Sequence, residues 1–372
     1  MNRFQVHIRQ HVQWVMLFML VASVQVWGDE SFGTRTVVSG LEHPWGMAFL
    51  PDGRILVTER PGRLRLIENN QLHAKSIRGL PSIAPVGQGG LLDIILHPEY
   101  GKNGWLYFSY SAAGATGIGT HVARAKLDGM ELRDLQVLFR MQPKSYGGRH
   151  FGSRLVIDRD HYLYITVGER GDRPRAQRLD DHAGSVIRLH DDGRVPVDNP
   201  FIKRLNTRSE IFSYGHRNPQ GLALHPESGE LWEHEHGPQG GDEINIIMPG
   251  RNYGWPVITY GVNYFIGTEI GEGTHKEGME QPLYYWDPSI APSGMAFYTG
   301  NKFPQWRNNL FIGSLKFELL VRLELDGRRV IKEERLLKGQ LGRIRDVSTG
   351  PDGYLYLLTD EGNGKLVQLI PK

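Results

Sequence analysis

Six degenerate copies of one strand–turn–strand pattern predict an all-β fold for this 372-residue chain, a six-bladed β-propeller of four-stranded antiparallel blades. In each copy a small residue opens an apolar strand, a turn rich in Pro, Asp and Gly follows, and a second strand leads to a third. The 46 glycines and 21 prolines are spread along the chain, as many short strands joined by tight turns require. One such sheet cannot bury both of its faces, so radial packing of six sheets is expected.

The copies follow one another to the end of the chain. Their mean spacing of about 57 residues is long for one blade and predicts long loops on one face of the ring. Residues 265–282 are interpreted as a loop insertion. An all-β sandwich is the alternative fold, but six matched units favour a closed ring. The copies begin GMAFLPDGRILVTE at Gly46, GLLDIILHP at Gly90, SRLVIDRDHYLYITV at Ser153, GLALHPESGELWEHE at Gly221, GMAFYTGNKFPQW at Gly294 and DVSTGPDGYLYLLTD at Asp346.

The first 28 residues predict a secretory leader that is separate from the fold. Arg3 and Arg9 precede a mostly apolar run over residues 12–24, and small or apolar residues follow it. A membrane anchor is the alternative, but the run is shorter than the roughly 20 apolar residues that a spanning helix needs. We therefore expect export without stable membrane insertion, and a mature propeller domain over residues 29–372.

Charge and cysteine content exclude several classes of function. Loss of the leader would leave equal numbers of acidic and basic side chains, so no general attraction to nucleic acid or to an anionic membrane follows. The chain has no cysteine, which excludes disulfides, thiolate metal sites and thiol nucleophiles.

Polar, aromatic and glycine-rich segments fall where the loops of all six units should converge. In a propeller, the loop that enters the innermost strand opens on the same face as the loop between the second and third strands. We expect both sets of loops to surround one mouth of the central channel. The first set contains Trp45, Gln88, His150, Arg217, Asn218, Trp286, Ser289, Arg343 and Arg345. The second set contains Glu169, Arg170, His236, Gly237, Pro238 and Lys316.

Four cations in these loops predict an anionic ligand. Gathered without partners they would repel one another and lose hydration, so a ligand with several negative charges is the physical reason to bring them together. The alternative is that they form blade-closing salt bridges with Asp346, Glu318 or other carboxylates. The four are Arg217, Lys316, Arg343 and Arg345.

One histidine and one turn suggest further chemistry at this mouth. His150 directly precedes a channel-lining strand, and imidazole titrates near neutral pH, so His150 is a candidate general base. The segment HGPQGGDEINIIMPGRNYGWP combines the backbone carbonyls of Gly237 and Pro238 with the carboxylates of Asp242 and Glu243, which are ligands that Ca²⁺ prefers. A glycine-rich turn whose aspartate accepts backbone N–H groups is an equally good explanation of this segment.

Six motifs in order resemble the soluble, pyrroloquinoline-quinone (PQQ)-dependent aldose sugar dehydrogenases, the soluble glucose dehydrogenase family, and most closely their bacterial periplasmic branch. They are GQGGLLDIILHP, RHFGSRLVID, YGHRNPQGLALHP, EHGPQGGDEINIIMPGRNYGWP, FIGSLK and RIRDVSTGPDGYLYLLTD. The resemblance covers nearly all of the mature chain and implies a soluble periplasmic enzyme, monomeric or homodimeric, that passes electrons from an aldose to an external acceptor.

The resemblance also implies residue roles. His150 would take the hydroxyl proton from the anomeric carbon while a hydride passes to the quinone, and Arg217 would polarise the quinone carbonyl. Gly237 and Pro238 would bind Ca²⁺ through their carbonyls, and Glu243 and Tyr253 would serve a second, structural ion. The positions that match cofactor-binding residues are Gln88, Arg217, Asn218, Tyr264, Lys316, Arg343 and Arg345, with Trp286 and Ser289 as neighbours.

Two departures and two competing functions accompany this hypothesis. Arg149 stands beside the base where the family often carries Asp or Asn, and the sugar-facing loops do not copy the glucose enzyme, so a broad aldose range is expected. A Ca²⁺-dependent propeller lactonase or other hydrolase would explain a metal ion but not four cations. A non-catalytic sugar-binding propeller would need only aromatic platforms, for which Trp45, Trp255 and Trp286 are candidates.

Overall fold

The chain folds into six four-stranded antiparallel sheets in the computed structural model, which describes residues 32–372. The innermost strands of the six sheets contact one another in a closed ring, so the sheets are the blades of a propeller. The predicted fold class is therefore confirmed. The leader predicted over residues 1–28 lies outside the described residues.

Strand β1 (Phe32–Leu41) precedes the first blade. Blades one to three then follow in sequence order, each built as a meander from its innermost to its outermost strand. Their strands are β2 (Pro44–Phe49), β3 (Ile55–Glu59), β4 (Arg63–Glu68) and β5 (Gln71–Leu72); β6 (Leu91–Leu96), β7 (Trp105–Gly114), β8 (Gly117–Asp128) and β9 (Glu131–Arg140); and β10 (Leu155–Ile157), β11 (Tyr162–Val167), β12 (Ser185–His190) and β13 (Ile211–Tyr214).

Blades four to six repeat the meander. A short helix, α1 (Tyr100–Asn103), and two 3₁₀ turns, Arg173–Gln177 and Pro304–Trp306, lie in connections. The strands are β14 (Pro219–Leu224), β15 (Leu231–Glu235), β16 (Asp242–Ile246) and β17 (Tyr284–Trp286); β18 (Pro292–Phe297), β19 (Leu310–Ser314), β20 (Leu319–Asp326) and β21 (Arg329–Leu336); and β22 (Ile344–Thr349), β23 (Leu355–Thr359) and β24 (Gly364–Pro371).

The sixth blade takes its fourth strand from the other end of the chain. β1 pairs antiparallel with β24, from Phe32 opposite Pro371 to Leu41 opposite Gly364. The sixth sequence repeat supplies only three strands, so without β1 its outer edge would stay unpaired. Ring closure therefore joins the first and last described strands in one sheet.

Apolar side chains fill the six spaces between adjacent blades. The strands of each blade are rich in Leu, Ile, Val and aromatic residues, and their two faces pack against the neighbouring blades on either side. β3 shows the consequence, because all five of its residues, Ile55–Glu59, are buried. This packing holds the inner strands and the loops at their ends in fixed positions.

Long connections leave the ring at both ends, so the prediction of long loops on one face is wrong. Those between β5 and β6 and between β11 and β12 lie on the side of the mouth, whereas those between β12 and β13 and between β16 and β17 join third to fourth strands at the opposite end. The connection between β16 and β17 is the longest, and residues 265–282 within it contain no named helix or strand, which agrees with the predicted insertion. Within residues 32–372, no helix has both the length and the apolar character of a membrane-spanning segment.

Candidate active site

A cavity of about 570 Å³ opens at one end of the central channel. Loops from all six blades form its wall, which places it at the convergence point expected from the repeats. Its volume lies in the range typical of small-molecule sites. The lining residues are His43, Trp45, Arg60, Gln88, Leu92, Phe151, Gly152, Asn218, Gln220, His236, Ala291, Leu315, Lys316, Arg343, Arg345 and Asp360.

Seven of the predicted mouth residues line this cavity. Six others are not on its wall, namely His150, Glu169, Arg170, Arg217, Gly237 and Pro238, and three more have other surroundings. Tyr264 is half exposed in the long connection and does not line the wall. Trp286 is buried between blades four and five and donates to Glu333 at 2.9 Å, while the Ser289 hydroxyl donates to Asp242 at 2.8 Å. The predicted residues on the wall are Trp45, Gln88, Asn218, His236, Lys316, Arg343 and Arg345.

His150 forms a dyad with Glu169 next to the wall. The imidazole Nδ1 lies 2.8 Å from the Glu169 carboxylate, and both side chains are buried. The carboxylate can only accept, so Nδ1 carries the proton, which leaves Nε2 with a free lone pair. Glu169 also accepts the backbone N–H of Gly171, which fixes the carboxylate. This tautomer equips His150 Nε2 to accept a proton from a bound molecule.

The backbone at His150 adopts a left-handed conformation that its surroundings enforce. Its φ is +54°, which is uncommon for a residue with a side chain. The His150 N–H donates to the Gln88 side-chain oxygen at 2.7 Å, and the Arg170 guanidinium donates to the carbonyls of Arg149 and Gly147. Strained backbone held by several contacts is common at catalytic positions.

Burial and charge keep the imidazole neutral. Burial lowers the pKa of His150, and the positive charges of Arg217 and Arg149 lower it further, while the Glu169 hydrogen bond opposes them. Burial alone would raise the pKa of Glu169, but hydrogen bonds from His150 and Gly171 outweigh it and hold that pKa below its usual value. The dyad is therefore a neutral base beside an ionised carboxylate.

A second buried carboxylate, Glu235, organises the loop that carries Arg217 and Asn218. Glu235 accepts the backbone N–H of Arg217 and, at 3.3 Å, that of Asn218, and it lies 3.1 Å from Nδ1 of His216. Its position at the end of β15 lets it reach the entrance of β14, which pairs with β15. Asn218 then presents its side chain on the cavity wall.

The cations of the mouth are only partly neutralised. Arg345 pairs with Asp360 at 2.7 Å, and Arg343 approaches the same carboxylate at 4.0 Å. Neither uses Asp346, which pairs instead with Arg154 at 2.8 Å. The salt-bridge explanation thus holds for Arg345, with a different carboxylate from the one expected.

Two of the four predicted cations retain unused donors. Within residues 32–372, the Nε atoms of Arg217 and Arg345 are buried without a hydrogen-bond partner, as are those of Arg170 and, in the first blade, Arg65. A buried donor without a partner is costly, so the Nε atoms of Arg217 and Arg345 favour an anionic or oxygen-rich ligand. The donors fit the carboxylates and carbonyls of PQQ.

Hydrogen bonds to Asp242 explain why an aspartate follows the glycine-rich turn after β15. Both carboxylate oxygens of Asp242 accept hydrogen bonds. Oδ1 accepts from the Gly237 N–H and the Ser289 hydroxyl, and Oδ2 accepts from the Ala291 N–H. The N–H-accepting explanation is thus the one that applies to Asp242. The Gly237 carbonyl accepts from Arg217 Nη1 at 2.7 Å, so a cation at that oxygen would have to displace the guanidinium.

Three glutamates crowd behind this turn. Glu233, Glu235 and Glu243 lie on one face of paired strands β15 and β16, where Glu235 is directly opposite Glu243. Burial and mutual repulsion raise the pKa values of Glu233 and Glu243 well above the usual range. One oxygen of Glu233 is buried without a partner among the described residues, so the cluster needs a proton or a cation.

Tyr253 lies beside the same glutamate cluster, and the contacts of its side chain limit which of its atoms could bind an ion. Its hydroxyl donates to the Ile246 carbonyl at 2.6 Å and accepts the Met248 N–H at 2.9 Å. Its ring stacks on His216 with centroids 4.6 Å apart. Tyr253 therefore has its backbone carbonyl, rather than its hydroxyl, to offer an ion.

Sequence reasoning missed Arg60, Asp360 and Glu235. Arg60 and Asp360 follow the second strands of blades one and six, the same position as Lys316 in blade five. Applying the loop rule to all six repeats would have found both. Glu235 gave no such signal, because it lies in a strand where an acidic residue normally faces solvent.

The chain is similar in sequence to known sugar dehydrogenases. The family described as glucose/sorbosone dehydrogenase matches residues 41–368. An aldose sugar dehydrogenase of Escherichia coli is 48% identical over 338 residues, covering 89% of this chain and 91% of that protein. Quinoprotein glucose dehydrogenase B of Acinetobacter calcoaceticus is 28% identical over 419 residues, covering 89% and 86%.

The fold is also similar to solved structures of aldose sugar dehydrogenases. The apo form of the soluble aldose sugar dehydrogenase from Escherichia coli has a TM-score of 0.89 at 46% identity, covering 92% of this chain and 100% of that chain. The PQQ-bound aldose sugar dehydrogenase of Streptomyces coelicolor has a TM-score of 0.74 at 28% identity, covering 91% and 98%.

Proposed function

The chain belongs to the glucose/sorbosone dehydrogenase family, and we propose that it is an exported, periplasmic quinoprotein that oxidises aldoses at the anomeric carbon to lactones. Its relatives named as aldose sugar dehydrogenases, and the PQQ-bound one among the solved structures, support this reaction class. The observation that carries the proposal is the His150–Glu169 dyad beside a cavity lined by cations and amides.

His150 acts as the general base. Nε2 of the neutral imidazole accepts the proton of the anomeric hydroxyl, the C1–H bond breaks with both of its electrons, and a second C1–O bond forms to give the lactone. PQQ, when bound, supplies the electron-poor carbonyl carbon that accepts this hydride. Glu169 holds Nδ1 and stabilises the imidazolium that forms. An external acceptor must then remove two electrons before another turnover.

The mouth residues hold and polarise the cofactor in this proposal. Arg217 would donate to the oxygen where negative charge grows, which would lower the barrier more than it tightens ground-state binding. Arg343, Arg345 and Lys316 would pair with the carboxylates of the cofactor, and neutral amides would hydrogen-bond to its ring oxygens and nitrogens. The amides are those of Gln88 and Asn218, and Tyr264, which is not on the cavity wall, stays a predicted cofactor contact.

Calcium is the second proposed cofactor. The carbonyls of Gly237 and Pro238 would hold one ion beside the quinone, which requires Arg217 Nη1 to leave the Gly237 oxygen. Glu243 and the Tyr253 carbonyl would hold another, where the crowded carboxylates favour a divalent cation. The ions would neutralise buried negative charge and fix the turn.

Reconstitution tests the function. Protein purified without cofactor and dialysed against chelator should reduce an electron-accepting dye only when PQQ, Ca²⁺ and an aldose are all added. His150→Asn should lower kcat by about 10³-fold while PQQ still binds, because removal of a general base costs about 10²–10⁴ in rate. Dye reduction without quinone, or a His150→Asn variant with undiminished kcat, contradicts the proposal.

A further inference from the structure

Arg60 and Arg149, two arginines at the mouth, have no part in the cofactor assignment above, although the charge of Arg60 helps to lower the pKa of Asp360. Neither makes an ion pair within 4.0 Å of a carboxylate in residues 32–372. Arg60 lines the cavity, and its nearest polar contact is the Gly87 carbonyl, 3.5 Å from Nη1. Arg149 is exposed, and its side chain crosses Gly171, where an added Cβ would lie 3.0 Å from Arg149 Cδ.

Both arginines lie on the side of the mouth that carries the base. Arg149 directly precedes His150, and its charge is close enough to lower the pKa of that imidazole. Arg60 reaches the same side through Gly87, which packs directly on Gly148, two residues before the base. A sugar with its anomeric hydroxyl at His150 Nε2 therefore has cationic side chains within reach of its other atoms.

The charge of the loaded site remains positive. Asp360 is the one carboxylate on the wall of the cavity, and Arg345 and His43 already occupy it. The three carboxylates of PQQ and the carboxylates of Asp360, Glu169 and Glu235 carry six formal negative charges, which the four cations and one Ca²⁺ ion of the proposed function balance. The charges of Arg60 and Arg149 come in addition to these, so the loaded mouth attracts anions.

We propose that this enzyme prefers aldoses with an anionic group at the end remote from the anomeric carbon, and that Arg60 and Arg149 bind that group. Hexuronates and 6-phosphorylated hexoses share this chemistry. A guanidinium fork matches either a carboxylate or a phosphate through two parallel hydrogen bonds. This inference rests on the proposed function and names the substrate class of the same site.

The first test compares substrates on the protein loaded with PQQ and Ca²⁺. We expect kcat/KM to be about ten-fold higher for D-glucuronate or D-glucose 6-phosphate than for D-glucose, mainly through KM, and to fall toward the glucose value as NaCl is raised. The two anions separate carboxylate from phosphate recognition. A kcat/KM for glucose equal to or above both anions overturns the proposal.

Variants assign the preference to residues. Arg60→Gln and Arg149→Gln should each lower the ratio of anionic to neutral kcat/KM several-fold, and Arg149→Lys should retain part of it because its charge remains. Arg329→Gln, at the exposed first position of β21, is the matched control and should keep the ratio unchanged. An unchanged ratio in both cavity variants overturns the assignment.

Binding provides a readout that does not need turnover. Methyl β-D-glucuronide and methyl β-D-glucoside are blocked at the anomeric oxygen, so calorimetry can compare their affinities. We expect the glucuronide to bind about ten-fold more tightly, and equal affinities would overturn the inference. Failure to oxidise any aldose would defeat the proposed function, whereas glucose oxidation without an anion preference would defeat this inference alone.

Discussion

The two ends of the central channel are built from the same six inner strands but use charged residues differently. The mouth cavity is lined by cations and amides, and the guanidinium group of Arg345 on its wall has an unused buried donor, as does that of Arg217 nearby. The other end holds a cavity of about 310 Å³ whose lining is mainly apolar. Its charged lining residues are a buried arginine, Arg154, and the two aspartates that it bonds, Asp93 at 3.1 Å and Asp346 at 2.8 Å.

The comparison distinguishes buried polar groups that stabilise the fold from polar groups that bind a ligand. In the buried triad every charge has a partner, since Asp93 also accepts the N–H groups of Ile94 and Leu155, and Asp346 that of Met47. At the mouth, several cations lie close together, and some of their hydrogen-bond donors have no partner in the described structure. Buried polar groups that satisfy one another close the channel, whereas buried polar groups that lack partners indicate a ligand.

Breaking the triad should have the largest effect. Arg154→Leu leaves two buried carboxylates without their cation, so we expect the apo protein to lose about 3–5 kcal/mol of unfolding free energy in urea. Lys316→Gln at the mouth, where the side chain is exposed, should change it by less than about 0.5 kcal/mol. If Arg154→Leu does not fold, the triple variant Asp93→Asn, Arg154→Leu, Asp346→Asn should recover folding. Equal losses from the two single variants would contradict the contrast.

Removing the orienting carboxylate should act on catalysis instead. Glu169→Gln should lower kcat by about 10²-fold, because the neutral amide cannot stabilise the imidazolium. The pKa of His150 should also fall, since Glu169 raises it. PQQ affinity, followed by fluorescence titration, should change little. A variant with normal kcat and weakened cofactor binding would assign Glu169 to the cofactor.

Glu235→Gln should affect cofactor binding more than the base. An amide cannot accept from two backbone N–H groups and the His216 imidazole with the same strength, so the Arg217–Asn218 loop loosens. We expect PQQ affinity to fall about ten-fold, which corresponds to one charge-assisted hydrogen bond. The pH profile of kcat should keep its shape. A shifted profile with unchanged affinity would contradict this role.

The smallest expected effect is on pH dependence. Only neutral His150 accepts a proton, so kcat/KM should rise with pH through the pKa of His150, which lies below 6.5. Arg149→Gln removes one charge that lowers this pKa and should move the acid limb to higher pH by less than about one unit. The limb is measured with a neutral sugar. Movement to lower pH would mean that Arg149 does not act on the imidazole through its charge.

Sequence predicted the ring and seven of the sixteen residues on the cavity wall because both depend on local, repeated features. Strand periodicity and turn residues recur in every unit, and the loop positions that converge are fixed by them. Gln88, Asn218, Lys316 and Arg345 were identified on this basis and lie on one wall. The site geometry that links them depends on the six interblade cores, which no single repeat encodes.

The remaining features depend on contacts between distant segments. Glu235 lies in β15 and holds the loop that leads into β14, the neighbouring strand of its blade. No sequence motif indicates this role. Tyr264 lies in the connection between β16 and β17, where no strand period fixes the direction of a side chain. The fourth strand of blade six, β1, is far from the sixth repeat in sequence. Comparison of the repeats therefore cannot assign it to that blade.

The pairing of β1 with β24 sets an order of events during biosynthesis. Residues 32–41 are synthesised long before residues 364–371, which supply their only strand partner in the described structure. A nascent chain can therefore assemble an open arc of blades but cannot close the ring before β24 has been synthesised. Loss of β24 would leave β1 and β23 unpaired at this seam and remove the contact that closes the ring.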